Sequence, residues 1–281
     1  EEGSFGRRFV HLENPMSDEH SVLRTPLLGS LLDAAAHNIA HGTADLTLTE
    51  QGSVYLAADD RAELPNEHRA LGLLQVGNTA PAGWGQGAKP VKAGFFTAKA
   101  LLEAVLEVLR VDVTFEQTTA PFLHPGRTAK VLAADAVAGG ATVWGWIGEV
   151  HPPPAKTWDI DEPVAAFELD LDKVVAIADQ VPRYKDLTSF PAVRQDLAVV
   201  VPVANSAASV QATISAAGGD LLSEVHLFDV YEGQQLGEGK RSLAFSLAFQ
   251  APDRTLTGED VAPSVEAIVA ALKEAGGELR R

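Results

Sequence analysis

The 281-residue sequence has no cysteine, which excludes disulfide staples and thiolate chemistry and suits a reducing compartment. Its single methionine is Met16, so the chain is expected to be a fragment or a processed product. No apolar run approaches the ~18 residues of a membrane-spanning helix, and none is expected. The opening Glu1-Glu2-Gly3-Ser4 lacks the basic and apolar regions of a secretory signal. Cations are scarce: 22 Lys and Arg face 38 Asp and Glu, for a formal net charge of −16. That balance argues against a broad phosphate-binding surface. The shortage is uneven, however. Residues 183–281 hold nine basic and thirteen acidic residues, net −4, whereas residues 1–182 hold thirteen and twenty-five, net −12. A local basic patch is therefore easier to accommodate in the back part.

What is present is the composition of a folded chain, 46% hydrophobic and 21% charged. A helix is predicted from Thr25 as N-cap and Pro26 at the first helical position, with Leu28, Leu31, Leu32, Ala35 and Ile39 on one face and Gly42 as its stop. A second is predicted from Thr97, with Leu101, Leu102, Val105, Leu106 and Leu109 as its stripe. Residues 45–56, 71–76, 111–115, 129–134, 142–149 and 164–170 alternate or run apolar as strands do. Residues 78–94, rich in Gly, Pro and Ala, form a loop. Helices among antiparallel-looking strands indicate an α+β fold. Residues 177–189, with Pro182 and the charged Arg183, Lys185 and Asp186, are the expected linker. Beyond it the order is strand 196–202, helix 206–217, strands 223–231 and 241–250, helix 258–275 and strand 278–280. That is the βαββαβ order of a ferredoxin-like fold. Two domains follow, residues 1–182 and 183–281.

Several patterns suggest chemistry and resolve more simply. His37 and His41 stand four apart on one helix, but Asn-Ile-Ala lies between them and no third ligand is in view, so no metal site is expected. His124-Pro-Gly-Arg127 and His151-Pro-Pro-Pro154 place histidines beside turn-forming residues, which favours structural roles. Residues 233–242 superficially suggest a phosphate loop. The spacing fails, Arg241 fills the Ser/Thr position and a strand follows, so a hairpin loop is expected.

A family resemblance then emerges from seven ordered stretches. Residues 12–28, Leu-Glu-Asn-Pro-Met-Ser-Asp-Glu then Val-Leu-Arg-Thr-Pro-Leu-Leu from Val22, resemble the opening of the synthetase-like domain of bacterial phenylalanyl-tRNA synthetase β subunits. Leu123–Arg127, Gly148–Pro152 and Phe167–Asp170 resemble that domain's later signatures. Phe190–Leu197, Leu227–Tyr231, and Gly239–Phe245 with Asp253–Thr257, resemble the family's ferredoxin-fold anticodon-binding domain. One stretch departs: Asp45–Gly52 stands where the family carries a more apolar strand, which touches that strand's register and not the assignment. The editing domain and other upstream modules of a full β subunit are outside the resemblance, so editing of misacylated tRNA is not implied.

The resemblance implies a non-catalytic, class II synthetase-like antiparallel sheet domain followed by the anticodon-binding domain. It implies the catalytic α subunit and tRNA(Phe) as partners, an α₂β₂ assembly, no membrane association and a cytoplasmic location. ATP and Mg²⁺ are implied for the full complex, with no cofactor bound by this chain. The residues agree with a chain that is inactive alone: there is no Phe-x-Arg-x-Glu arrangement and no Gly-rich strand leading to a helix-borne arginine, hence nothing to stabilise a transferring phosphate. No catalytic residue is assigned. RNA-binding candidates are Arg194, Lys240, Arg241 and Tyr231. The three cations meet in one patch only if the strands they open start at the same end of the sheet. On the strand 241–250, Leu243, Phe245, Leu247 and Phe249 face the helices, while Ser242, Ala244, Ser246 and Ala248 leave a small, flat open face. The rival reading is a metabolic enzyme with a C-terminal ferredoxin-like domain for a small regulatory ligand. An autonomous nucleotide hydrolase lacks its phosphate loop.

Overall fold

A computed structural model of the chain describes residues 9–18, 21–58, 64–79, 90–135, 140–178, 181, 184 and 190–280. Glu19, residues 80–89 of the predicted loop, and Pro182, Arg183, Lys185 and Asp186 of the predicted linker lie outside them. The chain divides into two compact units, Glu1–Pro182 and Arg183–Arg281.

The first unit is built on a six-stranded antiparallel sheet. Its strands are β1 (Leu46–Leu56), β2 (Asn66–Val76), β3 (Val113–Gln117), β4 (Leu123–Asp135), β5 (Gly140–Val150) and β6 (Val164–Asp170), in the spatial order β1-β2-β6-β5-β4-β3. Helix α1 (Leu28–Ala40) covers one face, where Leu31, Leu32, Leu74, Trp146 and Ala166 form a core. Helix α2 (Phe95–Leu109) covers the other, where Leu102, Leu106, Val131, Ile147 and Phe167 form a second. Strand β6 is sandwiched between the two cores, which is why Val164 to Phe167 is apolar without alternation. The departing stretch keeps an unbroken register, from Leu46 opposite Val76 to Leu56 opposite Asn66.

Both predicted caps of this unit move. Helix α1 begins at Leu28 with Leu27 as its N-cap residue and no capping side chain of its own, so Thr25 does not cap it. Helix α2 is capped at Gly94, and Thr97 sits three residues inside, where its Oγ1 accepts from the Gly94 N–H at 2.9 Å. Two short helices were not legible. In α3 (Pro152–Thr157), prolines open the first turn, where a missing N–H costs nothing, so His151 is the residue before a helix rather than part of a turn. Helix α4 (Leu171–Ile177) is capped by Asp170, which accepts from the Lys173 N–H.

The second unit has the expected βαββαβ order: β7 (Val193–Pro202), α5 (Ala207–Ala217), β8 (Leu222–Tyr231), β9 (Lys240–Phe249), α6 (Gly258–Glu274) and β10 (Glu278–Leu279). The sheet order is β10-β7-β9-β8, antiparallel at every pairing. Leu243, Phe245, Leu247 and Phe249 are fully buried under the helices together with Ile214 and Ile268. Ser206 caps α5, and Thr257 with Asp260 forms the reciprocal capping box of α6. Residues 233–239 are the expected hairpin loop, with a short 3-10 turn at Gln234–Leu236 and left-handed Gly237 and Gly239.

Candidate RNA-binding face and the contacts of the motifs

In the first unit the signature motifs contact one another. Arg24 donates from Nε to the Ser53 carbonyl at 2.9 Å and pairs with Glu50, whose other oxygen accepts from Ser30 Oγ at 2.7 Å. Gly52 makes room for it: a Cβ there would lie 2.0 Å from the Arg24 guanidinium. Glu168 reaches across from β6 and accepts the Leu27 N–H at 2.8 Å, so the cap that α1 lacks locally comes from 141 residues away. Burial pushes the Glu168 carboxyl up to about 7, against the opposing pull of the Leu27 and Leu28 amides. Arg127 donates to Glu149 at 2.6 Å, and the other oxygen of Glu149 accepts the Phe95 N–H at 3.1 Å, at the start of α2. His124 accepts the Gly126 N–H through Nδ1 at 3.2 Å, and the His151 N–H bonds to the Phe122 carbonyl. Arg24, Arg127, Glu149 and Glu168 thus each have a partner within the unit that ties a helix or a hairpin in place.

His37 and His41 lie with ring centroids 4.3 Å apart, and His41 Nδ1 bonds to the His37 carbonyl at 2.7 Å. Among the described residues no group of three or more His, Asp or Glu is arranged to hold a metal ion. Nor is any described helix long and apolar enough to cross a membrane.

In the second unit the register decides where the candidate cations stand. Arg194 lies opposite Ala248, while Lys240 and Arg241 lie opposite Pro202 and Val201. Strands β7 and β9 therefore start at opposite ends of the sheet, with Arg194 about 23 Å from Arg241 along the strands at ~3.3 Å per residue. The single patch does not form; there are two separate sites. Arg194, 66% exposed, pairs with Glu224 of β8 at 3.8 Å. Both flank Ala248 of the central strand, which is buried. Lys240 bonds to Glu278 at 2.9 Å. Arg241 alternates onto the helix side with Leu243 and donates to the Asn205 carbonyl at 2.6 Å, holding the turn before α5. Its Nε is buried without a hydrogen-bond partner.

The feature that sequence reasoning missed is Arg280. Its backbone N–H donates to Ala198 of β7 at 2.9 Å, which sets it just past β10. Its guanidinium lies over the Tyr231 ring, 5.0 Å from the centroid. Strands β10 and β8 are the two edges of the sheet, so this contact crosses the whole open face above Ala198, Ser242 and Ala244. The face is accordingly not uniformly flat, and Ser242 beneath the pair is only 4% exposed. No local pattern announces the pairing of residues forty-nine apart; only the strand order brings them together. An aromatic ring and a guanidinium plane over small side chains on an exposed sheet are the elements that stack unpaired bases.

The family model for the phenylalanyl tRNA synthetase beta chain CLM domain matches residues 2–171, and that for the ferredoxin-fold anticodon binding domain matches residues 188–280. The chain belongs to the phenylalanyl-tRNA synthetase β chain family. Among its relatives, the phenylalanine–tRNA ligase beta subunit of Moorella thermoacetica is 42% identical over 278 residues, 98% of this chain and 33% of the relative. That of Symbiobacterium thermophilum is 41% identical over 275 residues, 98% of this chain and 30% of the relative. That of Bacillus cereus is 38% identical over 275 residues, 97% and 33% respectively. The chain thus spans about a third of the length of these relatives. The rival reading as a metabolic enzyme finds no support among them.

Proposed function

We propose that the chain serves a phenylalanine–tRNA ligase without performing its chemistry. The first unit frames the catalytic α subunit in an α₂β₂ assembly, and the second holds tRNA(Phe) while the α subunit charges it. ATP and Mg²⁺ are handled outside this chain, in the cytoplasm. The observation that carries the reading is the Tyr231–Arg280 contact across an open sheet face in a domain of the anticodon-binding family. Tyr231 stacks on a base, and the guanidinium of Arg280 covers the base or meets a neighbouring phosphate. Arg194 and Lys240 lie at opposite ends of the sheet and steady the backbone on either side, each exchanging a carboxylate partner for a phosphate. Arg241 acts indirectly, through the turn that it holds.

The test is charging of tRNA(Phe) by the α–β complex carrying Tyr231→Ala. The KM for tRNA is expected to rise about tenfold or more, as loss of one stacked base implies, with phenylalanine-dependent pyrophosphate exchange unchanged. An unchanged KM contradicts the reading.

A further inference from the structure

The first unit has a cavity of about 680 Å³, open to solvent on one side, between α1, α3 and the sheet, a volume within the ~300–1,000 Å³ typical of small-molecule sites. Its wall is apolar, and Phe122, Trp146 and Trp158 share the core of Leu28 and Leu32 of α1. Phe122 and Trp146 meet edge to face, with centroids 5.2 Å apart. Gly29 of α1 also lines this space, and a Cβ built on it meets nothing within 4 Å. A glycine inside a helix weakens it, and here no close approach requires one. The fold leaves room at this point.

Set into the apolar wall is Glu168, with His68, Asp170 and Lys173 as the other titratable groups of the lining. Lys173 and Asp170 neutralise each other at 3.3 Å. Glu168 receives the amides of Leu27 and Leu28, and the charges of Arg24 and Glu50 act on it with opposite signs. Two amides leave a carboxylate with unused acceptor capacity. Among the described residues Glu168 makes no ion pair of its own, although Arg24 acts on it from a distance.

The geometry points to a binding site for a small aromatic molecule with a cationic head, an arylalkylammonium whose ring packs among Trp146, Trp158 and Phe122 while its ammonium meets Glu168. The cation replaces the hydration that burial removes from the carboxylate, and aromatic walls favour it further. The net −12 of residues 1–182 draws cations towards this unit and disfavours anions. Binding selects the ionised carboxylate, so affinity rises from pH 6 to pH 8.

The experiment titrates the purified chain with phenethylamine, 2-phenylethanol and 3-phenylpropionate, following tryptophan fluorescence and heat. Saturable binding of the amine, at least tenfold tighter than the alcohol and absent for the acid, is expected. Glu168→Gln keeps an oxygen for the amides of α1 and should bring the amine down to the affinity of the alcohol. The same variant separates the pH dependence of Glu168 from that of His68, Asp170 and Lys173. Gly29→Leu places a side chain in the space and should abolish binding of amine and alcohol alike, with an unchanged or raised melting temperature. The proposal is overturned if the wild-type chain does not bind the amine saturably, if amine and alcohol bind equally, or if neither variant alters binding. It is likewise overturned if the amine fails to bind while Gly29→Leu weakens association with the α subunit, since the space then receives a partner's side chain.

Discussion

The two units use charge in opposite directions. In the first, Arg24, Arg127, Glu149 and Glu168 bond within the unit and serve as long-range caps and clasps for α1, α2 and the β1–β2 hairpin. In the second, the helices are capped locally by Ser206 and Thr257, so the open face of the sheet is left to Arg194, Tyr231, Lys240 and Arg280. The more acidic unit, with more charged motif residues, spends them on internal contacts, and the plainer one leaves its candidate residues on the sheet surface.

The largest expected effect separates the units as folding entities. Phe245 is fully buried under α5 and α6, so Phe245→Ala should destabilise residues 183–281 by about 3–5 kcal/mol and leave the first unit's transition in place. Urea denaturation followed by amide NMR signals from each unit checks this. Loss of both units together would show that they fold as one body.

Next in size is the pH dependence of the first unit. The Glu168 carboxyl stands at about 7 in the folded chain, against an ordinary 4.5. Between those values the folded chain holds a proton that the unfolded chain has released, so stability falls as pH rises through this window. The loss is about 3 kcal/mol at most and is complete above pH 7. Glu168→Gln should remove this slope and make the unit more stable than wild type at pH 8. A wild-type stability that is flat between pH 4.5 and 7 would exclude the buried, charge-averse carboxylate.

A smaller effect tests local capping. Thr257→Ala removes one side of the α6 capping box and should cost about 1 kcal/mol in the second unit alone. Thr25→Ala, at the position where sequence suggested a cap, should lose no such contribution, because Glu168 supplies it.

The contrast also explains what could be read in advance. Period-two alternation in residues 241–250 made the second unit's central strand legible, and its helices carry their own caps. The first unit's strand β6 was legible as an apolar run, but the start of α1 was not, since its cap is held 141 residues away. Helix α3 was hidden by prolines that read as a turn. Of the candidate site, Tyr231, Arg194 and Lys240 were named by residue type. The orientation of Arg241 follows from strand parity, and Arg280 depended on which strand lies at the sheet's edge.

The account is tested most directly by the salt dependence of tRNA(Phe) affinity for the α–β complex, with variants of the second unit's open face. Tyr231→Ala should weaken binding about tenfold or more at every salt concentration without altering the slope, because stacking releases no counterions. Arg194→Ala and Lys240→Ala should each flatten the slope by about one unit, independently of one another, because the two cations stand at opposite ends of the sheet. Wild-type affinity and slope in all three correctly folded variants would contradict the assignment of this face to RNA.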